Sequence, residues 1–146
     1  MPDDTHGLDT RAVRAHLREE RRDLVTTVAD CADAVAADWD GTRTTDAADV
    51  TGPLRATLDR AGVLARFPSV LRECVAAAGG SLQADPVAAP PYVVVTSVGP
   101  LLRATLADDR LVVTLRVFEV ERTDDGPPRY VRTERDPEAI TDVEVR

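Results

Sequence analysis

The residues that most often carry out enzymatic chemistry are scarce in this chain. It holds two histidines, His6 and His16, and two cysteines, Cys31 and Cys74. Neither histidine lies beside a carboxylate or thiol in a pattern typical of a proton relay. The cysteines do not form a C-x-x-C or C-x-x-H metal motif, and we interpret both as buried thiols on helices. We therefore predict no catalytic residue, no metal site and no cofactor.

The familiar motifs of enzymes are absent as well. No H-E-x-x-H, G-x-S-x-G, Walker or G-x-G-x-x-G pattern occurs. Pairs of aspartates stand at Asp3-Asp4, Asp108-Asp109 and Asp124-Asp125. A hard cation needs about six oxygens that converge from several segments. Adjacent aspartates at predicted turns and termini are therefore interpreted as solvated turn residues.

A cluster of basic residues near the start of the chain predicts a contact with phosphates. It comprises Arg11, Arg14, Arg18, Arg21 and Arg22. Arg11, Arg14, Arg18 and either Arg21 or Arg22 recur every three to four residues and so line one side of a helix, and planar guanidinium groups match phosphate geometry. Against nucleic acid as the partner, the formal net charge of −8 repels a polyanion, and affinity for nucleic acid falls steeply with salt. These arguments favour ion pairing of the arginines with glutamates and aspartates, within or between subunits, over nucleic-acid binding.

A second group of residues predicts a small-ligand site. Thr96 and Ser97 are small hydroxyl residues close to Gly99, which lets a ligand approach the backbone, and Tyr92 and Arg103 lie nearby. The structural alternative is a tight reversal between two strands. A pocket between sheet and helices would distinguish the two interpretations.

These candidates must be positioned by a sheet that the chemistry of residues 92–121 dictates. β-Branched residues dominate this stretch, and Gly99-Pro100 and Asp108-Asp109 interrupt it where strands reverse. We predict strands near 92–98, 101–107 and 110–121. In the last strand, one apolar face is formed by Leu111, Val113, Leu115 and Val117, opposite to Arg110, Thr114 and Arg116. The apolar side of the sheet needs a cover.

The first part of the cover is a long helix over residues 9–40. Asp9 is positioned to cap its first amides, and apolar residues recur at spacings of three, four or seven. Such a helix would span roughly 45 Å, which exceeds the width of a domain of this size. It must either kink or extend past its own sheet, and a protruding apolar stripe would invite a second copy of the chain.

The second part of the cover is a helical hairpin over residues 53–78, closed by Gly79-Gly80. Residues 41–52 read as a linker, and residues 81–91 contain three prolines and return the chain to the sheet. A fourth strand at 129–134 and a last strand at 140–145 are predicted as edge elements.

The prediction is thus one α+β domain over residues 1–146. Residues 1–8 form a disordered lead, and residues 92–145 form an antiparallel β-meander of three to five strands. One face of that sheet is covered by the long N-terminal helix and the helical hairpin.

Composition indicates the setting in which the chain works. All 18 basic residues are arginine, asparagine is absent, and aspartate outnumbers glutamate. With the segment from Tyr92 to Pro100 and the following Leu102-Arg-Ala-Thr-Leu106, this composition resembles small uncharacterised haloarchaeal proteins, a resemblance that implies no activity. A dense carboxylate surface is screened by molar salt. We expect the fold to loosen at low salt.

Three functions follow from these observations. The first is a non-catalytic interaction or assembly module, which self-associates as a homodimer through the first helix or binds an unknown protein partner. The second is a nucleic-acid-associated or regulatory protein that uses the arginine stripe. The third is a small-ligand-binding protein or enzyme with a pocket between sheet and helices. An acidic, polar N-terminus and the lack of a long apolar run predict a cytoplasmic protein without membrane contact.

Overall fold

A computed structural model describes residues 7–132 and 136–146. The helices in these ranges are α1 (Thr10–Glu20), α2 (Arg22–Ala37), α3 (Thr51–Arg60), α4 (Phe67–Ala77) and α5 (Pro137–Ile140). The strands are β1 (Arg43–Thr44), β2 (Val93–Val95), β3 (Pro100–Thr105), β4 (Arg110–Leu115), β5 (Phe118–Glu121), β6 (Arg129–Arg132) and β7 (Thr141–Val145). Residues 1–6 of the predicted lead and residues 133–134 of the predicted fourth strand lie outside the described residues.

The main sheet has four antiparallel strands in the order β2-β3-β4-β7. In its middle row Leu102 pairs with Val93 on one side and Val113 on the other, and Val113 pairs with Val143. All of these side chains are buried in a core shared with α1 to α4. Because side chains alternate along a strand, this row defines an inner face beneath the helices. The predicted α+β class, with helices on one face of an antiparallel sheet, is confirmed.

The opposite surface of the main sheet, here called the outer face, carries Arg103, Val112 and Glu144 in one row. Tyr92 stands next in that row, because the amide of Arg103 donates to the carbonyl of Tyr92 over 2.8 Å. Val112 is fully buried and yet does not belong to the main hydrophobic core. Polar side chains on the neighbouring strands therefore flank an apolar residue on this face.

The predicted long helix over residues 9–40 is wrong as a single element. It breaks at Arg21, whose backbone (φ −125°, ψ 25°) leaves the helical region, and α2 ends at Ala37. The predicted Asp9 cap is confirmed, since its carboxylate accepts from the amide of Ala12 over 3.1 Å. The break lets α1 and α2 pack on the same body, so the apolar stripe is buried at every position from Val13 to Val35. The described helices leave no uncovered stripe.

The predicted strand 110–121 is also divided. It ends at Leu115 and resumes at Phe118, and the amides of Val117 and Phe118 both donate to the carbonyl of Val98, over 2.8 and 3.0 Å. These two bonds mark a crossing of the chain, at which Gly99 lies close to the backbone of Leu115. A Cβ on Gly99 would lie 1.8 Å from the carbonyl oxygen of Leu115, and its φ of +148° is one that other residues rarely adopt.

The segment after the crossing enters a second antiparallel sheet, in the order β1-β6-β5. This corrects two predictions. The predicted linker 41–52 contains β1 and a short 3-10 helix at Ala47–Asp49, and the predicted edge strand at 129–134 is β6, the middle strand of this sheet. The predicted last strand is β7, an edge strand of the main sheet, as expected. One meander of three to five strands is therefore replaced by two sheets.

The helical hairpin is confirmed as α3 and α4, which meet through a 3-10 turn at Leu64–Arg66. Leu54 and Leu58 of α3 and Leu71 of α4 are completely buried. These helices contact β2 and β3, respectively, while α1 lies along β7. Among the described residues, no helix is long and apolar enough to cross a membrane.

Candidate functional site

The arginines of the predicted stripe mostly bind other parts of the chain. Arg14 donates to the carbonyl oxygens of Thr141 and Val143 on β7, over 3.3 and 3.4 Å. Arg18 contacts the carboxylate of Glu19 at 3.0 Å. Arg11 and Arg22 are exposed. The stripe is therefore not one continuous surface of free guanidinium groups.

Arg21 makes the strongest of these contacts, with Glu73 of α4. Its Nε donates to Oε1 of Glu73 over 2.7 Å, and its Nη2 donates to Oε2 of the same carboxylate. Nε2 of His16 lies 2.8 Å from the same Oε1. The hydrogen bonds from Arg21 lower the pKa of Glu73 from 4.5 to about 2, although partial burial opposes the shift. This cluster fixes the helix break against α4.

The predicted small-ligand residues divide into two groups. Thr96 forms the turn between β2 and β3: its hydroxyl donates to the carbonyl of Gly99 over 2.8 Å and accepts from the amide of Val98 over 3.2 Å. Ser97 lies in the same turn and is partly exposed. Tyr92 and Arg103 lie together at the opposite end of the hairpin. The structure thus separates Thr96 and Ser97 from Tyr92 and Arg103.

Tyr92 and Arg103 line a cavity of about 160 Å³. The cavity lies beside the end of β3, where β2 no longer covers the strand, and the returning segment 82–84 forms its other wall. Its polar lining comes from Gln83, Tyr92, Arg103 and Thr105, and its apolar lining from Leu82, Ala84 and Pro91. Polar groups and carbon surface therefore meet in one small space.

The side chain of Arg103 distinguishes this cavity. Its Nε is buried, and no atom of the described residues accepts a hydrogen bond from it. An unpaired buried donor is costly, since it has lost its water and gained nothing in exchange. No carboxylate in the described ranges forms an ion pair with this guanidinium, whereas Arg116 and Arg146 on the same face pair with Asp142 and Glu144. Arg103 is therefore the charged group of this cavity with which an anion could pair.

Two other hollows lack such a group. A more open one of about 420 Å³ beside α3 is lined by the exposed residues Arg55 and Asp59 and by small apolar side chains. One of about 120 Å³ lies between the helix break and α5, and its arginines, Arg14 and Arg18, already bind protein acceptors. Arg129 also has a buried Nε without a partner, but it lines none of these three hollows.

Gln83 and Thr105 line this cavity and are not among the predicted ligand residues. Thr105 follows Arg103 by two residues and so shares its face of β3, a signal that strand alternation contains. The hairpin turn at 96–99 likewise places Tyr92 opposite Arg103, at the far end from the turn. No local signal identifies Gln83, because its position depends on how the segment with three prolines folds back.

The thiols are unsuited to chemistry. Cys31 and Cys74 are both free and buried. Burial raises the pKa of Cys74 to about 12, and burial also raises the pKa of Cys31. Over residues 7–132 and 136–146, no three His, Cys, Asp or Glu side chains converge on a point where a metal ion could bind.

Fold and site together define a class: an α+β protein with two antiparallel sheets and a small, mixed polar and apolar cavity at the edge of one of them. The chain belongs to the family described as Domain of unknown function (DUF7988), whose model matches residues 11–146. No curated protein and no solved structure matches the chain.

Proposed function

We propose that this protein is a non-catalytic binding module whose ligand is a small anion held by Arg103. The observation that supports it is the buried Nε of Arg103, which has no acceptor in the described part of the chain, on a residue that lines a cavity. An anionic oxygen supplies the missing acceptor. No described residue accepts a hydrogen bond from the terminal nitrogens of Arg103, so the same guanidinium offers further donors and can bind a carboxylate or phosphate with two parallel bonds.

The lining limits the size and nature of the ligand. A volume of about 160 Å³ is well below the roughly 300–1,000 Å³ of ordinary ligand pockets. Leu82, Ala84 and Pro91 offer carbon surface, while Gln83, Tyr92 and Thr105 offer neutral hydrogen-bonding groups. A small organic anion uses both kinds of wall, whereas an inorganic ion uses only one.

Calorimetric titration tests the proposal. The affinities of acetate, butyrate and inorganic phosphate are compared with that of the neutral acetamide, at constant molar salt. Each ligand is titrated into the wild-type chain and into Arg103→Gln. Charged hydrogen bonds contribute about 1.5–3 kcal/mol, so Arg103→Gln should weaken anion binding roughly ten- to a hundredfold. Arg122→Gln is the matched control, because Arg122 is an exposed arginine in the turn after β5.

Any of three results would overturn the proposal. One is the absence of binding by all of the anions, and another is an affinity that Arg103→Gln leaves unchanged. Equal losses in Arg103→Gln and Arg122→Gln would also contradict it, because they would indicate only a change in net charge. Arg103→Lys provides a finer test: a retained charge without the planar fork should recover part of the affinity.

We infer further that the module works in molar salt, in the cytoplasm of a halophilic cell. The arginine-only basic residues, the excess of aspartate and the formal charge of −8 support this setting. The free energy of unfolding should fall as salt is lowered, because the screening length rises from about 3 Å at 1 M to 10 Å at 0.1 M. Thermal unfolding across a salt series checks this, and a constant melting temperature would contradict it.

The two remaining hypotheses have weaker support. Self-association as a homodimer rested on an apolar stripe that projects from the first helix, and in the described residues that stripe is buried by the chain's own helices and sheet. Val87 alone stands out among the large apolar side chains there as exposed. Nucleic-acid binding rested on a stripe whose members Arg14, Arg18 and Arg21 have acceptors within the chain. Neither hypothesis gains an observation comparable to Arg103.

A further inference from the structure

A second arginine stands beside the cavity on the next strand. Thr105, which lines the cavity, pairs in register with Arg110 of β4. Residues paired across antiparallel strands have Cβ atoms about 4.5–5.5 Å apart. Arg110 therefore lies at the rim of the cavity, on the same face of the sheet as Arg103.

Arg103 and Arg110 are diagonal neighbours. Arg103 pairs with Val112, which lies two residues beyond Arg110 on β4. Diagonal neighbours of this kind have backbones about 7–8 Å apart. Arg110 is exposed, and its side chain forms no ion pair or hydrogen bond with any described residue. Two like charges on neighbouring strands without acidic partners repel each other.

Acidic residues outnumber basic ones by 26 to 18 in this protein, so carboxylates are numerous enough to pair with both arginines. Asp108 and Asp109 lie in the adjoining turn and Asp85 follows the cavity segment, yet none of these carboxylates forms an ion pair with Arg103 or Arg110. On the rest of the outer face each arginine has an acidic partner, at 3.3 Å in both cases. Among the arginines of this face, those at the cavity and its rim are thus the two without an ion pair to a described residue.

We propose that the ligand is a small dicarboxylate, with one carboxylate on Arg103 inside the cavity and the other on Arg110 at the rim. This inference rests on the proposed anion-binding function and deepens it by naming the ligand class. The apolar lining of Leu82, Ala84 and Pro91 accommodates the carbon chain between the two acidic groups. Two anionic groups on one short chain remove the repulsion between the two arginines, which a single carboxylate on Arg103 does not.

Succinate and butyrate form the test pair, because they have the same number of carbon atoms and differ in one carboxylate. Calorimetric titration at neutral pH and constant salt should give roughly tenfold tighter binding of succinate by the wild-type chain. Arg110→Gln should remove that preference by weakening succinate roughly tenfold and leaving butyrate unchanged. Arg103→Gln should weaken both ligands.

The control is Arg116→Gln, which removes an exposed arginine from the same face, directly beyond the other end of β4. If Arg116→Gln abolishes the succinate preference as Arg110→Gln does, the preference reflects the general field and the inference is wrong. If succinate and butyrate bind equally to the wild type, or if Arg110→Gln weakens both alike, the inference is also wrong. In either case a loss of butyrate binding in Arg103→Gln would leave the proposed anion site standing. If neither ligand binds, the inference is wrong, and if acetate and phosphate also do not bind, the proposed function is wrong as well.

Discussion

The arginines of the N-terminal stripe and Arg103 on the sheet differ in their hydrogen-bond partners. Arg14 and Arg21 donate to carbonyl and carboxylate oxygens of distant segments, and their charge helps to join α1 to β7 and α4. Arg103 lines a cavity, and its buried Nε has no hydrogen-bond acceptor among the described residues. In this chain the densest basic cluster of the sequence is therefore not the best candidate for an anion-binding site. A single arginine without a partner is the better one.

The largest effect on the free energy of unfolding is expected for Arg132, whose guanidinium donates to three other residues. Its side chain is 8% exposed and donates to Asp33 over 2.9 Å and to the carbonyls of Val117 and Ala29 over 3.0 and 3.1 Å. Arg132→Met should lower the free energy of unfolding by about 3 kcal/mol, because buried acceptors lose their donor. Denaturant unfolding in molar salt measures the loss. A loss below about 1 kcal/mol would contradict the assignment of these contacts to stability.

Glu73→Gln should have the next largest effect, about 1–2 kcal/mol near neutral pH, because it weakens the bonds to Arg21 and His16. The pKa of Glu73 is lowered in the folded chain from 4.5 to about 2. The stability that Glu73 contributes is therefore complete above pH 4.5 and is lost as the pH falls through about 2.

Unfolding of wild type and Glu73→Gln across this pH range should give two curves that converge at the acid end. The difference between the curves isolates Glu73 from the other carboxylates, which titrate in both chains. A gap that stays constant down to pH 2 would show that the pairing with Arg21 does not stabilise the fold.

Arg103→Met is expected to change the free energy of unfolding in the opposite direction to the substitutions at Arg132 and Glu73, or not at all. Removal of an unpaired buried donor should leave the free energy of unfolding unchanged or raise it by up to about 1 kcal/mol. The same substitution at Arg21, which has partners, should lower it. Parallel denaturant curves for Arg103→Met and Arg21→Met provide the measurement, and a loss of more than about 1 kcal/mol in Arg103→Met would make Arg103 a structural residue.

The smallest effect is expected at Arg11 and Arg22. Both are exposed. Arg11→Gln and Arg22→Gln should each change the free energy of unfolding by less than about 0.5 kcal/mol. A larger loss in either variant would mean that the exposed members of the stripe also contribute to stability, which would weaken the contrast with Arg103.

Much of the fold follows from local patterns in the sequence. The alternation of Leu111, Val113 and Leu115 identifies the buried face of the sheet, and Asp9 identifies the start of the first helix. The failures lie where distant segments decide. Arg21 interrupts a continuous apolar period because Glu73 binds it, and Val117 leaves its strand because the carbonyl of Val98 accepts its amide. Tertiary partners override the local periodicity in both places.

The site shows the same division. Tyr92 and Arg103 could be predicted together, because they are cross-strand neighbours in a hairpin whose turn the sequence identifies. Thr96 and Ser97 were grouped with them only because they are close in sequence. The distinguishing property of Arg103, a donor without an acceptor, depends on every neighbour in three dimensions, and no pattern of residue types reports it.

The hydrogen bonds from Arg14 to β7 have a consequence for how copies of this chain meet. β7 is the outermost strand of the main sheet, and such a strand can serve as a template on which a foreign strand docks. Arg14 occupies the carbonyls of Thr141 and Val143, and α1 lies alongside them. Arg14 and α1 therefore obstruct strand addition along this border of the sheet.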